Sequence, residues 1–345
     1  MYSRPDSAPV LAVVVPCFNE EDVLPETMRR LDAILENMML AGQIDPSSKA
    51  WYVDDGSRDR TWNIIHREAM APGSRIAGIK LSRNRGHQIA LLAGLMQAEG
   101  DVLISVDADL QDDLAAIPLM LEAHAAGSDI VFGVRSTRER DTAFKRLTAE
   151  GYYRLLRRMG VEIVFNHADY RLMSRRAVES LRGYEESNIF LRGMIPLLGY
   201  PTSQVEYQRA ERFAGESKYP LGKMLALAWQ GVTSFSAVPL RAITTLGVIV
   251  SLISLSMGVW ALGVRLFTNE ALPGWASIVI PQFLLSGVQL LSLGVIGEYL
   301  AKIFIETKRR PPYFVESLVG SSPAASDALA GSLPARRFAD AKRVG

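Results

Sequence analysis

The sequence predicts an α/β fold, a mostly parallel doubly wound sheet, followed by an amphipathic segment and a pair of membrane-spanning helices. Three observations carry this expectation. Over the first 130 residues, short β-rich runs alternate with helical patterns, the rhythm of strands joined by crossover helices. Polar motifs follow the first, second and fourth of those runs, and ligands of such sheets bind outside the carboxyl ends of the strands. Two uncharged apolar runs, Ala242–Val264 and Ala271–Gly297, come later. Each exceeds the ~20 residues a helix needs to cross a bilayer core of roughly 30 Å.

In order, strands are expected at Leu11–Val15, Lys49–Val53, Ile76–Leu81, Val102–Val106 and Asp129–Gly133. Helices are expected at Val23–Leu40, Thr61–Met70, Ile89–Ala98 and Ala115–Ala126. The run Val10–Val15 stops at Pro16, and Met1–Val10 lacks a basic region followed by a long apolar core. It therefore reads as a strand and not as a signal peptide, which keeps the N-terminal domain on the cytoplasmic side. Further on, Leu221, Met224, Leu225, Ala228, Val232 and Phe235 recur at helical spacing. That stripe suits an amphipathic helix lying in the headgroup region or a helix packed on the soluble domain.

Arg241 precedes the first apolar run, and Lys302, Lys308, Arg309 and Arg310 follow the second, whereas the linker Arg265–Glu270 holds one basic residue. Basic residues mark the cytoplasmic side, so both ends should face the cytoplasm and the linker should face out. The expected layout is a soluble domain over 1–218, an interfacial segment over 219–240, two spans over 241–305 and a cytoplasmic tail over 306–345. Ala, Ser, Gly and Pro dominate that tail after Glu316, which predicts disorder. Small residues four apart, Gly247/Ser251 and Ser254/Gly258, suit close helix packing and are compatible with a homo-oligomer. With 38 basic and 37 acidic residues, the composition implies no nucleic-acid partner. The single cysteine, Cys17, excludes an internal disulfide and fits a reducing compartment.

The chemistry-bearing residues sit at the strand ends. Asp107 and Asp109 are two apart, so both can point to one face. Such a pair can hold Mg²⁺ or Mn²⁺, which takes one or two carboxylates plus phosphate and water, and Gln111 adds a neutral oxygen. The surrounding Val-Asp-Ala-Asp-Leu-Gln-Asp-Asp sets the pair apart from an ordinary acidic strand end. Asp54-Asp55-Gly56-Ser57 read alone is a turn, in which glycine allows the chain to reverse while one carboxylate can accept a base N–H. In Pro16-Cys17-Phe18-Asn19-Glu20, Asn19 fits a helix cap as well as a ligand contact. Asn84-Arg85-Gly86-His87 leads into a helix whose N–H groups can meet an anion, and His87 fits a ligand contact or a surface position equally. Asp169 fits either a role in orienting a substrate or a structural pairing with Arg171 or Arg175.

Taken together, Val-Val-Pro-x-Phe-Asn-Glu, Val-Asp-Asp-Gly-Ser-x-Asp-x-Thr, Asn-Arg-Gly-His-Gln and Asp-Ala-Asp-Leu-Gln-Asp, in that order, resemble the large inverting glycosyltransferase family 2. The later Asp169-Tyr170-Arg171-Leu172-Met173 and Gly215-Glu216-Ser217-Lys218-Tyr219, with the paired apolar runs, look like its polyprenyl-phosphate branch. That branch includes dolichyl-phosphate mannose synthases and bactoprenol glucosyltransferases. The resemblance covers about residues 10–316 and implies a Rossmann-like GT-A domain before the membrane segments. It implies that Pro16, Phe18, Glu20, Val53, Asp55, Asp107 and Ala108 surround the nucleotide sugar. Phe18 stands where many relatives have Tyr, keeping a stacking face and losing a hydroxyl. Asp109 and Gln111 would bind the metal and act catalytically with Asp169. Arg135, Arg212, Ser217 and Lys218 would hold phosphates, including that of the lipid acceptor.

The implied reaction is an inverting transfer of a hexose from a nucleotide sugar to polyprenyl phosphate at the cytoplasmic face of the inner membrane. A phosphate monoester is largely dianionic at neutral pH, its second pKa lying near ~6, so the nucleophile needs positioning more than a general base. UDP-glucose is favoured as donor because Arg-Gly-His-Gln and Arg-Leu-Met-Ser-Arg-Arg look closer to the bactoprenol glucosyltransferases; GDP-mannose and UDP-aminoarabinose are the alternatives. A processive polysaccharide synthase would share the domain, but its Gln-x-x-Arg-Trp motif is absent. A non-catalytic membrane scaffold would leave the site motifs without a use.

Overall fold

The computed structural model describes residues 8–135, 167–184, 186, 189–208, 238–267 and 274–321, and these fall into two compact units. The first holds an eight-stranded mixed sheet in the order β7-β5-β6-β4-β1-β2-β3-β8. Its strands are β1 (Leu11–Cys17), β2 (Lys49–Asp54), β3 (Ile76–Leu81), β4 (Val102–Ser105), β5 (Ile130–Arg135), β6 (His167–Ser174), β7 (Thr202–Tyr207) and β8 (Val315–Val319). The five expected strands are present. β1, β2, β3 and β4 are parallel, as the alternation with helices requires, while β6 runs antiparallel between β4 and β5.

The connecting helices are α1 (Leu24–Leu40), α2 (Thr61–Ala69), α3 (His87–Gln97), α4 (Ala116–Ala125), α5 (Arg175–Leu181) and α6 (Leu191–Leu197). α1 buries Leu24, Thr27, Met28, Leu31, Leu35 and Met38, one face at helical spacing. α3 buries Ala90 through Leu95 without a break. Gly94 makes this possible, because a Cβ there would lie 2.3 Å from Val14 Cγ1 and 2.8 Å from Val53 Cγ2. α3 thus lies directly on β1 and β2, and its first turn reaches two residues further toward the strand ends than the sequence suggested, carrying His87 and Gln88 with it.

The second unit holds two long helices, α7 (Val238–Phe267) and α8 (Gly274–Thr307). Their 30 and 34 residues correspond to about 45 and 51 Å at 1.5 Å per residue. α7 begins before Arg241, with Pro239 in its first turn where the missing N–H costs nothing. Among the described residues one stretch, Leu285–Thr307 within α8, is long and apolar enough to cross a membrane. It starts inside the second expected span and runs past its end. Most of the interfacial segment, residues 219–237, lies outside the described residues.

The tail differs from expectation. Disorder is expected after Glu316, but Ser317–Val319 belong to β8, antiparallel to β3 with Gly78 opposite Val319 and Lys80 opposite Ser317. The chain therefore leaves the sheet unit for the two long helices and comes back to it. The apolar residues of Val-Glu-Ser-Leu-Val suit a short edge strand, a signal swamped in sequence by the small residues that follow. Residues 322–345 lie outside the described residues.

Candidate active site

From β1 the chain moves to β2 and β3 on one side of the sheet and then to β4 on the other. The loops after β1 and β4 therefore part, leaving a crevice at their carboxyl ends. The loops after β1 and β2 are laced together along one wall. Asp55 N donates to Cys17 O (2.9 Å), Asn19 N to Ser57 Oγ (3.0 Å), Arg58 N to Asn19 Oδ1 (2.9 Å) and Glu20 N to Thr61 Oγ1 (2.9 Å). Asn19 has φ 55°, a conformation its short polar side chain tolerates. It joins two loops and does not cap α1, whose N-cap is Val23. Pro16 and Val53 are ladder partners on β1 and β2. Phe18 projects beyond them with 42 % of its surface exposed, an aromatic face open to stacking.

Asp54 and Asp55 are both buried and have different tasks. Asp54 Oδ1 accepts from Ser57 N (3.1 Å) and closes the turn. Asp55 accepts Arg85 N on Oδ1 (2.7 Å) and Gly86 N on Oδ2 (2.8 Å). A carboxylate offers about four lone-pair sites, so Asp55 can hold this second turn and still receive a base N–H. Burial raises both carboxyls above the usual range, opposed by these hydrogen bonds. Gly56, with φ +68°, lets the two turns touch, since a Cβ there would sit 2.6 Å from the backbone of Arg83 and Asn84.

The β4 side presents Asp107, Ala108, Asp109 and Gln111. Ala108 is buried, and its carbonyl accepts from Thr27 Oγ1 (2.8 Å), which ties the loop to α1. Leu110 has φ 57°, and across this tight turn Asp109 Oδ1 accepts from Gln111 N (3.2 Å). Asp109 and Gln111 supply hard oxygens of the kind Mg²⁺ and Mn²⁺ take. Among the described residues no set of three His, Cys, Asp or Glu could hold a metal. An ion here would depend on phosphate and water for the rest of its shell, which is how Mg²⁺ is usually bound. The half-buried Asp107 faces His87 Nε2 at 3.5 Å. Burial pushes its carboxyl up to about 6; His87 opposes this, and Asp112, Asp169 and Asp109 add to it.

Asp169 does not stand ready as a base. It is 4 % exposed and accepts from Gln88 Nε2 (3.0 Å), Arg192 Nε (3.1 Å), Arg192 Nη2 (3.0 Å) and Arg171 Nη2, with His87 Nε2 at 3.3 Å. Burial alone would raise its carboxyl, but His87, Arg171 and Arg192 hold it well below the usual range. With every lone-pair direction taken it is a poor proton acceptor. It is an anchor that fixes Arg171 and Arg192 and holds His87, which also faces Asp107. Of the two readings the sequence left open, the pairing with Arg171 is the one observed; Arg175 instead donates to Gly100 O (2.8 Å) and Ala98 O.

Arg135 closes β5 opposite Tyr207 in the ladder. Arg212, Ser217 and Lys218 lie outside the described residues. Arg192 was missed in the sequence, where nothing in Phe190-Leu191-Arg192-Gly193 marks it, and Gln88 was legible only as the last residue of Asn-Arg-Gly-His-Gln.

The model of the family Glycosyl transferase family 2 matches residues 12–182. The uncharacterized glycosyltransferase YkoT of Bacillus subtilis is 46 % identical over 90 % of this chain and 92 % of its own length. The bactoprenol glucosyl transferase of Shigella phage SfV is 38 % identical over 89 % and 98 %. The prophage bactoprenol glucosyl transferase homolog of Escherichia coli is 36 % identical over 89 % and 98 %. Among solved structures, glucosyl-3-phosphoglycerate synthase of Mycobacterium tuberculosis with Mn²⁺, UDP and phosphoglyceric acid is 19 % identical. It covers 67 % of this chain and 82 % of that one at a TM-score of 0.42, too loose a likeness to carry an argument. The nearly end-to-end relatives carry the identification: the chain is a glycosyltransferase and belongs to glycosyl transferase family 2.

Proposed function

We propose that this enzyme transfers a hexose, with glucose from UDP-glucose as the favoured donor, to a polyprenyl phosphate at the cytoplasmic face of a membrane. What supports the reading is that Phe18, Asp55, Asp107 and Asp109 all follow the carboxyl ends of the neighbouring strands β1, β2 and β4, in a chain that also holds a helix of membrane-crossing length. Relatives named bactoprenol glucosyl transferase, alike over almost the whole chain, support both the sugar and the lipid.

In this reading Phe18 stacks on the base and Asp55 accepts its N–H, while Asp107 and Ala108 line the nucleotide side. Asp109 and Gln111 would hold a divalent ion, Mg²⁺ or Mn²⁺, whose positive charge offsets the charge developing on the diphosphate. The lipid phosphate oxygen attacks the anomeric carbon. The bond to the diphosphate breaks with its electron pair leaving on the nucleotide, and the configuration inverts. Arg135, Arg212, Ser217 and Lys218 align the acceptor, which supplies the rate by proximity and charge compensation. We further propose that α7 and α8 both cross the bilayer, with both termini cytoplasmic and the linker Arg265–Glu270 outside. The polyprenyl tail cannot leave the bilayer, since each buried CH₂ contributes roughly 0.8 kcal/mol, so transfer takes place at the membrane surface.

The test is transfer of radiolabel from a panel of nucleotide sugars into a chloroform-soluble product by the full-length protein in membranes. Label from UDP-glucose, lost on mild acid hydrolysis, is the expected result. Label that enters only water-soluble polymer, or no product from any donor, would overturn the proposal.

A further inference from the structure

The segment that follows α8 does more than complete a sheet edge. Between Pro311 and Gly320 it makes side-chain and backbone ties to both ends of α3 and to β3. Arg85 Nε donates to Pro312 O (2.6 Å), Ser82 N donates to Phe314 O (3.0 Å), and the Tyr313 hydroxyl faces the Gln97 side chain at the far end of α3. β8 then pairs with β3, Lys80 meets Glu316 at 2.8 Å, and Lys49 Nζ donates to Gly320 O (2.6 Å).

Arg85 is where this strap meets the crevice. Its guanidinium holds Pro312, its own N–H donates to Asp55 Oδ1, and the next N–H, of Gly86, donates to Asp55 Oδ2. One residue further, His87 opens α3 and faces Asp107 and Asp169. The turn 83–86 is thus held from one side by the nucleotide-facing carboxylate and from the other by chain that has just left the second long helix. The turn donates two backbone N–H groups to Asp55 and lies so close to Gly56 that a Cβ there would sit 2.6 Å from Arg83 and Asn84. A shift of the turn therefore moves Asp55 and His87 with it.

We propose that residues 311–320 are a working part of the nucleotide site, and that Arg85 is the positioning residue through which their docking sets Asp55 and His87. This rests on the reading of the crevice as the nucleotide site. Pairing with β3 covers the sheet edge, but an edge strand alone does not call for the Arg85 tie to Pro312 one residue before the Asp55-bound Gly86. A strap latched to the turn makes donor binding depend on the segment that connects the sheet to them.

The experiment measures UDP and GDP binding with Mn²⁺ by calorimetry on full-length protein in detergent, together with KM for donor and for acceptor. In Arg85→Ala the favoured diphosphate should bind about tenfold more weakly, the loss of roughly one charge-assisted hydrogen bond and the order it imposes. KM for the lipid acceptor should stay unchanged, and Arg85→Lys, which can still reach a carbonyl, should recover part of the loss. Lys49→Ala removes the strap's tie at its far end and should lower the unfolding temperature without weakening UDP. Unchanged nucleotide affinity in Arg85→Ala would overturn the proposal. So would a loss that merely tracks unfolding temperature in both variants. A wild-type chain that binds neither diphosphate would instead bring down the reading of the crevice itself.

Discussion

Replacing Asp169 by Asn separates an anchor from a catalytic base. Asp169 and Arg171 are 4 % and 1 % exposed, and within the described residues Arg171 has no other side-chain partner for its buried Nε and Nη1. Asn keeps the shape and removes the charge, leaving Arg171 buried and uncompensated, a change that costs about 3–5 kcal/mol. For a unit of this size each kcal/mol moves the midpoint by roughly 2–4 °C, so thermal unfolding should shift by about 6–20 °C. Donor and acceptor use should fall together, because Arg192 and His87 lose their fixed partner. The double variant Asp169→Leu, Arg171→Met removes both charges and should recover much of the midpoint without recovering transfer.

The pH dependence follows from the same pairings. The Asp169 carboxyl is held below its unfolded value of ~3.9. Its contribution is therefore complete above that value and is lost only as pH falls through the folded one. Burial alone would lower the pKa of His87, but Asp169 and Asp107 raise it. Its pairing is thus fully present below the unfolded value of ~6.5 and fades as pH rises through the raised one. The stability margin of wild type over Asp169→Asn should be widest below about pH 6.5 and narrow as pH rises above it. A variant with an unshifted midpoint and a kcat that alone collapses would restore Asp169 as a base and refute the reasoning.

Asp109→Asn should abolish transfer and the Mn²⁺-dependent part of UDP binding while the midpoint holds, since its side chain is only half-buried and Asn keeps the oxygen that accepts from Gln111 N; full activity in the presence of a chelator would remove the metal from the site. Gly56→Ala forces a Cβ against the backbone of Arg83 and Asn84 at 2.6 Å and a side chain into φ +68°; it should weaken nucleotide binding more than acceptor binding, measured as separate KM values. Thr268→Cys should react with an impermeant maleimide in intact cells if the linker is external, whereas labelling only after permeabilisation would reverse or remove the hairpin.

What the sequence made legible was whatever depends on local pattern. The strands of the parallel core have buried faces on both sides, so they read as short apolar runs. The motifs that terminate them mark the crevice because strand ends and ligand coincide in this architecture. What stayed hidden depends on pairing at long range. Asp169 meets Gln88 and Arg192 across sequence separations of 81 and 23 residues, and no spacing rule links them. β8 pairs with β3 after the chain has passed through two long helices, so its neighbours in sequence say nothing of its neighbours in space. Even the sequence reading of His87 as either surface residue or ligand contact left out what decides it. Its ring faces two carboxylates because Gly86, at φ 91°, turns the chain into α3 two residues early. Asp55 fixes that turn from inside the crevice and Pro312 fixes it from the strap, so the position of the histidine is set by residues at opposite ends of the chain.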